Sequence, residues 1–137
     1  MLKNQINYQV MWARLYLLSG ILFGLLFIIG AYILNDLTVL YNLLAAVLIF
    51  SIGWGMMKYP YATYTENEIR VNGFFGIERK YYQFETKEEV TVENHRLYIN
   101  GNKLAISRWL VDKADYLRME GFYDDEAALI DELTDNE

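Results

Sequence analysis

Cysteine is missing from these 137 residues, which excludes disulfides, thiolate catalysis and Cys-ligated zinc or iron–sulfur sites. Histidine occurs once, as His95, so a His-based metal cluster is excluded, and a Ser-His-Asp arrangement would rest on that single position. Proline occurs once, as Pro60. Charge is absent from two long stretches: residues 15–34 and 37–57 contain no Asp, Glu, Lys or Arg. The overall figures of 54% hydrophobic residues and a mean hydropathy of +0.06 therefore average an apolar half with a polar half. About 80 residues lie outside the apolar part, enough for one small domain and too few for a large enzyme core.

At about 1.5 Å of rise per residue, each uncharged run makes a helix ~30 Å long, the thickness of the hydrocarbon layer of a bilayer. Only Asn35 and Asp36 separate the runs. The reading is an α+β membrane protein that opens with a transmembrane hairpin over residues 1–59, its helices at about 12–34 and 37–58. A signal peptide is the competing reading of the first run. Its length, the lack of a small-x-small cleavage site and the second full span that follows all favour a retained helix. Lys3 and Arg14 precede the first span, Lys58, Arg70, Arg79 and Lys80 follow the second, and the turn between them has no cation. This distribution predicts a multi-pass plasma-membrane protein with both termini in the cytoplasm. Tyr8, Trp12, Trp54, Tyr59, Tyr61 and Tyr64 flank the spans as rings suited to the headgroup level.

Within the hairpin, Gly20 and Gly24 form one small-xxx-small pair, and Ser51 and Gly55 form another. Close backbone approach at such positions is what packs helices inside lipid, either closing the hairpin on itself or joining it to a second copy. Gly30, Ala45, Ala46 and Gly53 add small surface, and Asn42 is expected to bond the neighbouring helix or reach the interface.

Pro60 ends the second helix, and from there the period changes to two. Residues 60–121 read as a small antiparallel β domain, a meander of five or six strands at 62–65, 68–72, 77–84, 89–93, 96–99 and 103–107. Residues 73–76 form a turn, and Asn100-Gly101 is the dipeptide favoured in a type I′ hairpin. A closing helix follows, with Leu110, Ala114 and Leu117 on one face and Gly121 as its C-terminal cap. Residues 122–137 form an acidic tail, helix-permissive over 125–133. The eight acids from Glu120 onward have no cation among them, whereas twelve Lys and Arg against ten Asp and Glu leave residues 1–119 at +2. That balance gives no nucleic-acid signal.

Catalytic and metal-binding motifs are not found. His95 reads as an exposed turn residue, Glu85, Glu88, Glu89 and Glu93 as a solvated face, and the acids of the tail lack the spacing of a calcium loop. Residues 73–76 lack the lysine and following helix of a phosphate loop. No cofactor, metal or small-molecule substrate is implied. Lys58, Arg70, Arg79 and Lys80 are candidates for contact with anionic headgroups. Phe74 and Phe75 at a turn, with Trp109 after the last strand, are the candidate interaction surface, since neighbouring exposed rings need lipid, a partner or a fold-back onto the sheet.

A two-helix hairpin followed at once by Tyr-Ala-Thr-Tyr-Thr-Glu-Asn-Glu-Ile-Arg-Val at 61–71, a Gly-bounded turn, short strands and a closing helix resembles the bacterial pleckstrin-homology-like membrane proteins of the YdbS and YdbT type. That family has seven strands, where five or six are read here. The tyrosine-bearing start of the first helix, Arg108-Trp109 and the acidic end also look like the EbsA-like small membrane proteins of Gram-positive cocci, which carry a pore-forming label. The first resemblance implies a non-enzymatic, membrane-anchored module whose cytoplasmic β domain meets a protein partner or the membrane surface, as a scaffold or accessory subunit. The second implies a pore-forming or transport-associated protein that self-associates through its helices. Neither brings a catalytic residue.

Overall fold

The computed structural model describes residues 4–124; the tail from 125, with its helix-permissive stretch, lies outside them. The chain is α+β: two long apolar helices, antiparallel sheets and a C-terminal helix. Helix α1 (Val10–Leu34) ends at Asn35, which adopts the left-handed conformation (φ 47°) and returns its N–H to the Ala31 carbonyl. Asp36 then accepts from both the N–H and the hydroxyl of Thr38, at 2.9 and 2.7 Å. These bonds hold the Asp36 carboxyl below the usual range.

The second apolar run is not one uniform helix. Leu37–Asn42 is a 3₁₀ segment, and α2 proper spans Leu43–Lys58. Thr38 and Val39 are β-branched, and the Asp36 to Thr38 bonds compete with regular α-helical winding at this start. Asn42 is exposed and makes no side-chain cap. Both apolar segments, Val10–Leu34 and Leu37–Lys58, are long and apolar enough to cross a membrane, and 11% of each apolar window is buried. Leu18, Leu22, Ile33, Leu44 and Val47 are among the side chains that turn outward.

Seven strands are described, in two sheets rather than one meander. The first has the order β1 (Asn4–Ile6), β2 (Ala62–Tyr64), β3 (Glu68–Asn72), β4 (Glu78–Gln83), and the second β5 (Val90–Glu93), β6 (Arg96–Ile99), β7 (Asn102–Lys103). The unexpected member is β1, which precedes the helices and pairs Asn4 with Tyr64, Gln5 with Thr63 and Ile6 with Ala62. The helical hairpin is thus inserted between two adjacent strands of one sheet, and its two ends meet. The expected strand 103–107 shrinks to Asn102–Lys103. Both hairpins of the second sheet turn through two residues of positive φ, Asn94-His95 and Asn100-Gly101, as the Asn-Gly dipeptide predicts for the latter.

Immediately after β1 the chain changes partner. Gln9 donates its N–H to the Leu110 carbonyl at 2.8 Å, Asp112 donates to the Asn7 carbonyl at 2.9 Å, and Tyr8 bridges Val111. Residues 4–9, placed with the hairpin in the sequence reading, therefore pair with β2 on one side and with the strand-like approach to the last helix on the other. Tyr8, Tyr61 and Tyr64 are core residues rather than rings at a membrane boundary. They join Ile6, Ile69, Val71, Val90, Leu97 and Leu104, with Ala13 and Met56 from the base of the hairpin.

Helix α3 spans Lys113–Tyr123 and is capped by Asp112, whose carboxylate accepts from the Asp115 N–H at 3.1 Å. Its buried face is Tyr116, Met119, Glu120 and Tyr123. The expected face of Leu110, Ala114 and Leu117 is displaced: Leu110 precedes the helix, Ala114 is exposed, and Gly121 lies inside the helix rather than capping it. Tyr116 and Tyr123 on this face, with Met119, outcompete the smaller aliphatic set, because larger side chains bury more apolar area.

Candidate functional site

The small residues of the helices divide into two groups. A Cβ on Gly20 would sit 2.7 Å from the Phe50 backbone nitrogen, and one on Gly53 would sit 2.7 Å from that of Leu17. Gly24 is looser, 3.9 Å from the Ala46 Cβ. These contacts close the hairpin on itself. Ser51 turns its hydroxyl back to the Val47 carbonyl at 2.7 Å. Gly55 is not part of the seam: a Cβ there would run into the Phe74 carbonyl oxygen. Its smallness lets the 73–76 turn lie on α2.

That contact decides what Phe74 does. Its ring packs 5.8 Å from Tyr8, which in turn meets Tyr61 edge-on at 5.2 Å, so Phe74 folds back onto the core. Phe75 stays 43% exposed on the same turn, followed by exposed Ile77. Burial, then the neighbouring Tyr61, push the Tyr8 phenol up to about 12, with Arg79 opposing.

Trp109, the third predicted surface residue, is 77% exposed, and its carbonyl accepts the indole N–H of Trp12 at 2.8 Å. The Trp109 backbone therefore stands beside the first turn of α1. It borders a cavity of about 880 Å³ that opens between β6, β7, the segment 104–111 and the start of α3. Leu97, Leu104, Val111 and Tyr116 form its buried floor. Its walls carry Arg96, Lys103, Arg108 and Lys113, with His95 beside them and no Asp or Glu. The Arg108 guanidinium lies over the Tyr116 ring at 5.6 Å. Burial foremost, and the Glu120 charge next, push the Tyr116 phenol up to about 12. It stays a neutral donor, giving its proton to the His95 carbonyl at 2.7 Å.

Sequence reasoning passed over this cavity. Its four cations are spread from 96 to 113 and form no run, and only the two hairpin turns and the approach to α3 bring them together. The cations that were singled out lie elsewhere: Arg70 pairs with Glu68 and Glu78, and Lys58 packs over Trp54. His95 is the exposed turn residue the sequence predicts, and what the sequence does not show is that its ring meets the buried carboxylate of Glu120. Among the described residues no group of three His, Asp or Glu side chains is arranged to hold a metal. No family model, curated protein or solved structure matches this chain.

Proposed function

We propose that this is a bilayer-anchored module: the helical hairpin sits in lipid, and the β domain, built onto the hairpin's base at the cytoplasmic face of a bacterial plasma membrane, makes contacts rather than performing catalysis. The carrying observation is the insertion of the hairpin between β1 and β2. A buried core helix of a soluble protein would not leave its apolar faces outward along its whole length. Cleavage of α1 as a leader would also strip Ile6 and Tyr8 from the core.

Because β1 and β2 pair, both ends of the hairpin emerge on one side, and the eleven Lys and Arg among the described residues lie toward that side, none of them within 15–57. The positive-inside rule makes it the cytoplasm. The domain is read as pleckstrin-homology-like, which the rise from five or six strands to seven, ahead of a closing helix, supports. The tight Gly20 and Gly53 contacts leave no polar lumen within a hairpin, which disfavours the pore reading.

The cysteine-free chain suits a topology test. Single cysteines at Thr38, in the hairpin turn, and at Lys103, in the domain, are probed in intact cells with a membrane-impermeant maleimide. Labelling at 38 and protection at 103 until lysis is the expected pattern. Equal labelling of both, or release of the chain by carbonate washing, would overturn the anchor.

A further inference from the structure

We propose that the basic cavity between β6, β7 and the start of α3 is a binding site for the phosphate-bearing headgroup of an anionic phospholipid. The inference rests on the anchored reading above and goes further by naming the ligand and the residues that hold it.

Charge complementarity is the first argument. Arg96, Lys103, Arg108 and Lys113 converge on one cavity in a chain whose net charge is −6, and none of them forms an ion pair among the described residues. Of the acids nearest in sequence, Asp112 caps α3 and Asp115 is held by Arg118 and Asn7, while Glu93 stands opposite Arg96 in the β5–β6 register but does not line the cavity. Four like charges held together repel one another, and an anion relieves that repulsion. Arginine supplies a forked donor set that fits phosphate oxygens, while lysine supplies a point charge. Arg108 is also braced against the Tyr116 ring, so part of the ordering it needs to grip a ligand is already in place.

Location argues for a lipid source. Gln9, the cap residue just before α1, lines the cavity, and the neighbouring Trp109 is tied through its carbonyl to Trp12 in the first turn of that helix. A cavity at the base of the hairpin opens at the level where headgroups lie, and exposed indoles favour that level. The volume of about 880 Å³ accommodates a headgroup with its phosphodiester.

The test uses the full chain in nanodiscs of phosphatidylcholine alone or with one-fifth phosphatidylglycerol, reading co-purified lipid by native mass spectrometry. Phosphatidylglycerol should be retained roughly tenfold or more above its share, and Arg108→Gln with Lys113→Gln should remove that preference. Arg70→Gln, a cation outside the cavity, should keep it. Arg96→Gln with Lys103→Gln, exposed side chains on the other wall, serves as an independent second variant. Retention of both lipids in proportion to supply would overturn the site, as would a preference that survives both double variants. Displacement of phosphatidylglycerol by millimolar glycerol phosphate would overturn the lipid source and leave a soluble phosphate as occupant. Stable assembly into phosphatidylcholine discs reads the anchor separately from the headgroup site.

Discussion

Nδ1 of His95 lies 3.1 Å from Oε2 of Glu120, a carboxylate that is 1% exposed although it opens the run of eight acids that carries no cation. The second carboxylate oxygen of Glu120 has no hydrogen-bond partner. Together with the bond from the Tyr116 hydroxyl to the His95 carbonyl, this contact fastens the β5–β6 turn to α3. His95→Ala leaves the buried carboxylate with both oxygens unpaired and should cost about 1–3 kcal/mol, toward the lower end because water reaches the half-exposed imidazole site. Glu120→Met removes the desolvated charge instead and should be neutral or stabilising. Thermal unfolding of the full chain in detergent, followed by near-ultraviolet circular dichroism, reads both signs. Equal losses would show that the pair itself stabilises the fold.

What was legible in the sequence follows from range. The hairpin, the Asn100-Gly101 turn and strands 68–72 and 96–99 are specified by neighbours a few residues apart, and they stand close to where pattern placed them. The role of β1 is set by partners more than 50 residues away, and Asn-Gln-Ile is too short to announce itself as a strand. The same holds for Glu120: acidity near a chain end reads as solvation until a histidine 25 positions earlier is folded against it. Of the candidate surface residues, Trp109 and Phe75 are exposed as expected, while Phe74 was hidden by Gly55, whose missing side chain leaves the turn room to approach.

The seam of the hairpin predicts a graded response to added methyl groups. Gly20→Ala and Gly53→Ala place a Cβ 2.7 Å from backbone atoms of the opposite helix and should each cost about 1–3 kcal/mol. Gly24→Ala meets only the Ala46 methyl at 3.9 Å and should stay within about 0.5 kcal/mol of the parent. Melting temperatures in one detergent would establish the order. If Gly24→Ala proved as harmful as Gly20→Ala, the helices would have to pack through a different face.

Alkali should unfold the β domain through its tyrosines. Burial raises the phenols of Tyr61, Tyr64 and Tyr123 and takes Tyr8 and Tyr116 to about 12 from an ordinary 10.0. A phenol whose folded value is raised contributes stability that is intact below pH 10 and is lost as pH climbs toward the folded value, since the unfolded chain releases the proton first. Stability should therefore be insensitive to these groups up to about pH 10 and fall steeply between 10 and 12. Ultraviolet difference absorbance should show exposed tyrosines titrating first and a second, cooperative step coinciding with loss of near-ultraviolet dichroism. A single smooth titration centred near 10 would mean that these rings are solvated.

The strand ahead of the helices offers the sharpest test of how hairpin and β domain are joined. Ile6 is fully buried and lies opposite Ala62, while the preceding Gln5 is exposed. Ile6→Ala removes apolar volume from a packed core and should cost about 2–5 kcal/mol, whereas Gln5→Ala should stay within about 0.5 kcal/mol. If residues 1–59 formed an anchor independent of the domain, neither change would reach β2 to β4. Hydrogen exchange separates the two cases: Ile6→Ala should speed exchange at amides of Ala62–Tyr64 and Glu68–Asn72 together, because the strand sits at the edge of one ladder that continues through β2 into β3. Exchange that stays slow there would mean that β1 is an ornament on a sheet able to stand without it, and the hairpin would then be a tether rather than part of the fold.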